Sequence, residues 1–181
     1  MKQRIIWVLM FGLALASSSA AQTKTSGTIS CAKPDPAYSL DAGDRAGHAL
    51  GLMKSACTWT TPMQIEGVAT KDGFDVVTSD RSGAKVRANG YHFSNMANGD
   101  KIFVRFSGTD TMTKDGMPAM SVGTWSYTGG TGKFKGITGK GTYKGKADAS
   151  GNVVNEIVVD DETKHFANIA LQRMIDLTEK K

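Results

Sequence analysis

The tightest grouping of reactive side chains in this sequence is SLDAGDRAGHAL, which holds Asp41, Asp44, Arg45 and His48. A carboxylate four residues before a histidine can orient one ring nitrogen, as general acid–base chemistry requires. The same spacing also suits an ion-paired loop, and both readings stand. Asp44 and His48 are therefore the catalytic candidates. The other histidines, His92 and His165, are isolated in sequence. No H-x-H, no H-E-x-x-H and no D-x-[DN]-x-[DN]-G is present, so no metal is expected. There is no G-x-S-x-G to place a nucleophilic serine, and no cofactor is expected.

Cysteine usage points to one covalent bond. Cys31 and Cys57 are the only two cysteines, and neither lies in a C-x-x-C or beside a histidine. In an oxidising compartment such a pair is most simply a disulfide. It would close a loop of 26 residues, and chain entropy assigns such a loop about 3.5 kcal/mol. The first residues agree with that compartment. MKQRIIWVLMFGLALASSSAAQ has basic Lys2 and Arg4, an apolar run from Ile5 to Ala16, and small residues at Ser18-x-Ala20 and Ser19-x-Ala21. This is the layout of a secretory signal peptide, residues 1–21, cut near Ala20 or Ala21. The run is about twelve residues against roughly twenty needed to cross a bilayer, so no membrane anchor is expected after cleavage. The expected location is periplasmic or secreted.

The stretch GGTGKFKGITGKGTYKGK, Gly129 to Lys146, raises the question of a phosphate cradle. G-x-x-x-x-G-K-[ST] fails at each Gly-Lys pair. Before Gly132-Lys133 the first glycine is replaced by Tyr127, before Gly139-Lys140 by Phe134, and before Gly145-Lys146 by Lys140. G-x-G-x-x-G fails at Lys135 and at Lys144. Alternation explains the stretch better. Gly139, Gly141, Tyr143 and Gly145 share one parity, and Lys140, Thr142, Lys144 and Lys146 share the other. A strand then shows glycines around a tyrosine on one face and hydrated lysines on the opposite face. The formal charge of +5 falls to +3 without Lys2 and Arg4. That excess suits solubility and gives no argument for nucleic acid.

The same alternation runs through the elements that would position these groups. Turn signals KDG, RSG, NGD, KDG, GTG and ASGN recur at short intervals from residue 71 to 152 and separate β-rich runs. This is the pattern of an antiparallel sandwich or barrel. Ile102, Val104 and Phe106 share a face, as do Trp125 and Tyr127. Inward glycines favour the sharp coiling of a small closed barrel. At the end of the chain, Phe166, Ala170, Met174 and Leu177 form an apolar stripe, which predicts a helix over 163–178; a strand at Ala167–Leu171 is the competing assignment. Residues 22–181 thus form one domain.

The segment GTWSYTGGTGKFKGITGKGTY, Gly123 to Tyr143, resembles the GGTG-F-x-G-x-x-G signature of the allene oxide cyclase and dirigent superfamily, and the surrounding pattern is similar to exported bacterial proteins of unknown function. The resemblance implies an all-β, antiparallel, eight-stranded calycin-like barrel with an apolar interior. It transfers no catalytic position. Phe106, Trp125, Tyr127 and Tyr143 are the expected wall of such an interior, and a small apolar or amphipathic molecule is the expected ligand. A structural or interaction role in the cell envelope and a cyclase- or isomerase-like enzyme are the alternatives. Barrels of this kind often assemble, so a homo-oligomer belongs with these expectations.

Overall fold

The computed structural model describes residues 26–160; the signal-peptide assignment at 1–21 and the helix assignment at 163–178 lie outside the described residues. Ten strands follow in chain order: β1 (Ser26–Cys31), β2 (Ala37–Asp41), β3 (His48–Thr61), β4 (Gln64–Ile65), β5 (Val68–Ser82), β6 (Lys85–Met96), β7 (Lys101–Met112), β8 (Pro118–Gly130), β9 (Lys140–Ala147) and β10 (Val153–Val159). All pairings are antiparallel. The order β3-β1-β10-β9-β8-β7-β6-β5 closes on itself through β3–β5, giving an eight-stranded barrel. The all-β barrel expected from the alternation is therefore the fold. β2 pairs only with β3, along the same edge that β1 occupies further on, and β4 pairs only with β5.

Side-chain parity divides inside from outside along every long strand. In β6 the even residues from Val86 to Met96 face inward, and in β9 the lysines are exposed while Tyr143 turns in. Outside, Phe93 stacks on Phe74 with ring centroids 4.8 Å apart and meets Phe103 edge-on, while Lys54 Nζ sits 4.4 Å over the Phe74 ring. Phe103 is thus half-buried on the outer face, opposite Ile102 and Val104 within.

The inward glycines are seats for aromatic rings. A Cβ at Gly90 would stand 2.5 Å from Phe106 Cζ, and one at Gly123 or Gly141 would collide with the rings of Tyr143 or Trp125. Three large rings thereby pack against bare backbone in a barrel that is narrow for side chains of that size.

Two segments differ from the alternation reading. KDG at 71–73 is not a turn: β5 runs through it with a bulge between Thr70 and Asp72, and Gly73 lets the β6 backbone approach where any Cβ would strike Phe93 O. Residues 133–139, expected as strand, form a 3₁₀ turn at Gly132–Phe134 and a loop. Their apolar side chains point into the barrel mouth, where Phe134 and Ile137 are almost completely buried with Met63, Ile65, Met96, Ile102, Trp125 and Val159. Asp100 holds the turn through the Lys133 backbone N–H at 3.1 Å and faces the Thr131 hydroxyl. The glycine-rich segment is a plug as well as a strand.

Cys31 and Cys57 are directly opposed on β1 and β3 and form the expected disulfide, S–S 2.06 Å, with both residues buried beside Ile29.

Candidate functional site

The barrel holds a cavity of about 90 Å³ that is partly open to solvent. Four expected wall residues, Phe106, Trp125, Tyr127 and Tyr143, line it together with Trp59. Trp125 and Tyr127 meet edge-on at 5.0 Å, and Phe106 and Tyr143 do so at 6.0 Å. Strand register explains the convergence. Phe106 opposes Trp125 and Val104 opposes Tyr127 across β7–β8, while Gly141 of β9 opposes Trp125. The indole N–H of Trp125 donates to Thr142 O at 3.2 Å, and that of Trp59 to Ser94 Oγ at 3.3 Å. Both polar handles are thus satisfied, leaving apolar ring faces to the cavity.

The polar side of the cavity is a pair that the sequence reading passed over. Asp75 of β5 and His92 of β6 are directly opposed, and the His92 Nδ1–H donates to Asp75 Oδ1 at 2.7 Å. His92 is 8% exposed, and its Nε2 has no hydrogen-bond partner among the described residues. Asn155 of β10 also lines the cavity, and its Oδ1 is buried without a partner among the described residues. Buried polar atoms are otherwise almost always paired. A signal for the pair existed in the sequence. Once the RSG turn fixes Ser82 opposite Lys85, Asp75 and His92 lie equally far from it on the two arms of one hairpin.

Two further ionisable groups share the interior. Burial raises the pKa of Asp110, partly countered by the hydrogen bond that the Ser121 hydroxyl donates to it. The Tyr143 hydroxyl is raised further still, first by burial and then by the negative charges of Asp110 and Asp75, so it remains a neutral phenol.

Asp75 Oδ2 lies 3.5 Å from Cys31 Sγ. A disulfide sulfur carries no hydrogen, so this is a contact and not a hydrogen bond. Cys31, Cys57 and Asp75 are close enough together to hold a metal ion, but both sulfurs are committed to each other.

Asp44 and His48 lie elsewhere. Asp44 and Arg45 sit on the exposed loop before β3, and Arg45 pairs with Asp44 at 2.5 Å. His48, the first residue of β3, is held between Asp44 at Nδ1 and Asp80 Oδ1, 3.2 Å from Nε2. The His48 hydrogen bond, with help from the Arg45 charge, lowers the Asp44 pKa. Both ring nitrogens of His48 are engaged, and neither Asp44 nor His48 lines the cavity.

No family model matches the chain, and no curated protein sequence does. Among solved structures, the chain is similar to the conserved protein of unknown function RPA1785 from Rhodopseudomonas palustris, with 11% identity, a TM-score of 0.42, and coverage of 75% of this chain and 95% of that one. That likeness carries no functional information. The molecule is thus defined by its own geometry: a disulfide-linked, closed eight-stranded barrel around an aromatic cavity with an Asp–His pair in its wall.

Proposed function

We propose that this protein binds a small, mainly apolar molecule inside its barrel. The observation that carries the reading is the cavity itself, ringed by aromatic side chains and lined also by His92 and Asn155, whose buried Nε2 and Oδ1 lack partners among the described residues. A few convergent polar groups in an apolar pocket are the usual make-up of a ligand site. The volume narrows the ligand. About 90 Å³ is below the 300–1,000 Å³ of sites for drug-sized molecules and below the roughly 150 Å³ that holds benzene in an engineered cavity. Of a long acyl chain of the kind the plant cyclases handle, the cavity would hold only a few atoms in this conformation. Membership of the allene oxide cyclase and dirigent superfamily, suggested by the GGTG segment, is part of the proposal for the fold and not for the substrate. Export to the periplasm or beyond agrees with the disulfide.

Native mass spectrometry of the protein purified from its own host, followed by solvent extraction, tests the reading. A stoichiometric released compound of low mass is the expected result. A clean apo mass, together with no binding of small apolar probes, overturns it.

A further inference from the structure

The two unpartnered atoms have the same chemistry. A carboxylate accepts hydrogen bonds and does not donate them, so Asp75 at 2.7 Å fixes the imidazole proton on Nδ1. In the neutral ring Nε2 is then an acceptor. Asn155 Oδ1 is a carbonyl oxygen and also an acceptor. Neither has a donor among the described residues, and because both residues line the cavity, a small turn of either side chain lets its acceptor take a hydrogen from whatever enters. The charges around them act in the same direction. No lysine or arginine is among the residues lining the cavity, whereas Asp75 is, and Asp110 lies further along the inner face of β7. A carboxylate ligand would bring its charge into a wall with no cation and leave both acceptors unsatisfied. An ether or a hydrocarbon would fill the space and leave them equally unsatisfied.

Resting on the binding reading, we infer that the cavity selects neutral hydroxyl compounds, short alcohols whose O–H donates to His92 Nε2 or Asn155 Oδ1 and whose first few carbons meet the Trp59, Phe106 and Trp125 rings. The selectivity comes from the cost of a buried acceptor without a donor, which is large compared with the gain from any one hydrogen bond exposed to water. Removing that cost corresponds to a preference of roughly fivefold to a hundredfold for the alcohol over its ether. A site of roughly 150 Å³ for the six carbons of benzene allows about 25 Å³ per atom, so the cavity of about 90 Å³ takes the hydroxyl and first carbons of a probe such as 1-butanol, whose end projects through the open side.

The test is an NMR titration of the full chain with 1-butanol, methyl propyl ether and butyrate at tens of millimolar. Resonances followed are the His92 ring nitrogens and the indole N–H of Trp59 and Trp125. The expected result is that 1-butanol binds at least fivefold more tightly than the ether, shifts His92 Nε2 or the Asn155 side chain, and that butyrate is weakest. Equal binding of alcohol and ether overturns the inference and leaves the binding reading standing. Tightest binding of butyrate overturns the exclusion of anions. Shifts at neither indole with any of the three overturn both the inference and the binding reading. Asn155→Leu adds an internal check: if binding by Nε2 and Oδ1 sets the preference, the alcohol-to-ether ratio falls while the ether still moves the indole signals.

Discussion

Gly90→Ala tests whether the inward glycines are seats for rings or merely tolerated. The backbone at Gly90 is not in the left-handed region, so alanine is conformationally allowed there. Taken alone, the substitution would stabilise by about 0.4–1 kcal/mol, because it restricts the unfolded chain. The structure predicts the opposite sign. The added Cβ would stand 2.5 Å from Phe106 Cζ, 2.7 Å from Val76 O and 2.9 Å from Phe106 Cε1, against roughly 3.5–4.0 Å for a comfortable carbon contact. The ring must therefore move by about 1 Å within a filled wall, and overpacking of that kind costs about 1–3 kcal/mol. The net loss is about 1–2 kcal/mol, a fall in Tm of about 2–8 °C for a chain of this size. Thermal unfolding by circular dichroism measures it. In a Phe106→Leu background both nearest ring atoms are gone, so the same substitution should cost at least about 0.5 kcal/mol less. A rise in Tm for Gly90→Ala, or the same loss in both backgrounds, would refute the idea that the glycine exists to seat the ring.

Three other outcomes follow from the geometry. Cys31→Ser with Cys57→Ser removes the 26-residue closure, and the Tm under non-reducing conditions should fall by about 7–14 °C, from about 3.5 kcal/mol of loop entropy; an unchanged Tm would show that the β1–β3 contact alone holds that seam. Asp110 has a raised folded pKa because it is buried, so its ionisation costs stability as pH rises through that value. Asp110→Asn should therefore stabilise the protein near neutral pH, with the gain shrinking as pH falls towards the ordinary carboxylate range; urea titrations at several pH values that show a constant difference would contradict this. For Tyr143, absorbance near the tyrosinate band compared between the wild type and Tyr143→Phe should show no extra titrating phenol until the alkaline unfolding transition, since burial and the Asp110 and Asp75 charges keep it protonated; a phenol titrating in the folded state with the exposed tyrosines would contradict that.

The wall of the site was legible because period-two alternation is a property of each strand by itself. Trp125 and Tyr127, or Gly141 and Tyr143, could be assigned to one face without knowing their neighbours. The disulfide was legible because two cysteines allow one pairing. Asp75 and His92 were harder to see, because local spacing shows nothing and only counting outward from the RSG turn, once Ser82 is set opposite Lys85, brings them together. The spacing of four between Asp44 and His48 is visible in sequence, and the two do meet, but at the surface. The plug was missed for a different reason. Phe134 and Ile137 alternate with lysines and glycines much as strand residues do, and only the demand of an open barrel end for apolar cover turns them inward. In the same way the 71–73 glycine, a turn former in isolation, serves close backbone packing at a bulge.

The position of β2 sets a limit on how copies of the chain can associate through their backbones. Each of the eight barrel strands has a neighbour on both sides, whereas β2 has only β3, so apart from the two-residue β4 the described residues leave one strand with a free edge, Ala37–Asp41. Beside that edge Tyr38, Leu40, Leu50 and Leu52 are exposed on a common outer face. An antiparallel union of two such strands would use up the free edge of each partner. Growth by strand addition would therefore terminate at a pair, and a fibril would first require the barrel itself to open.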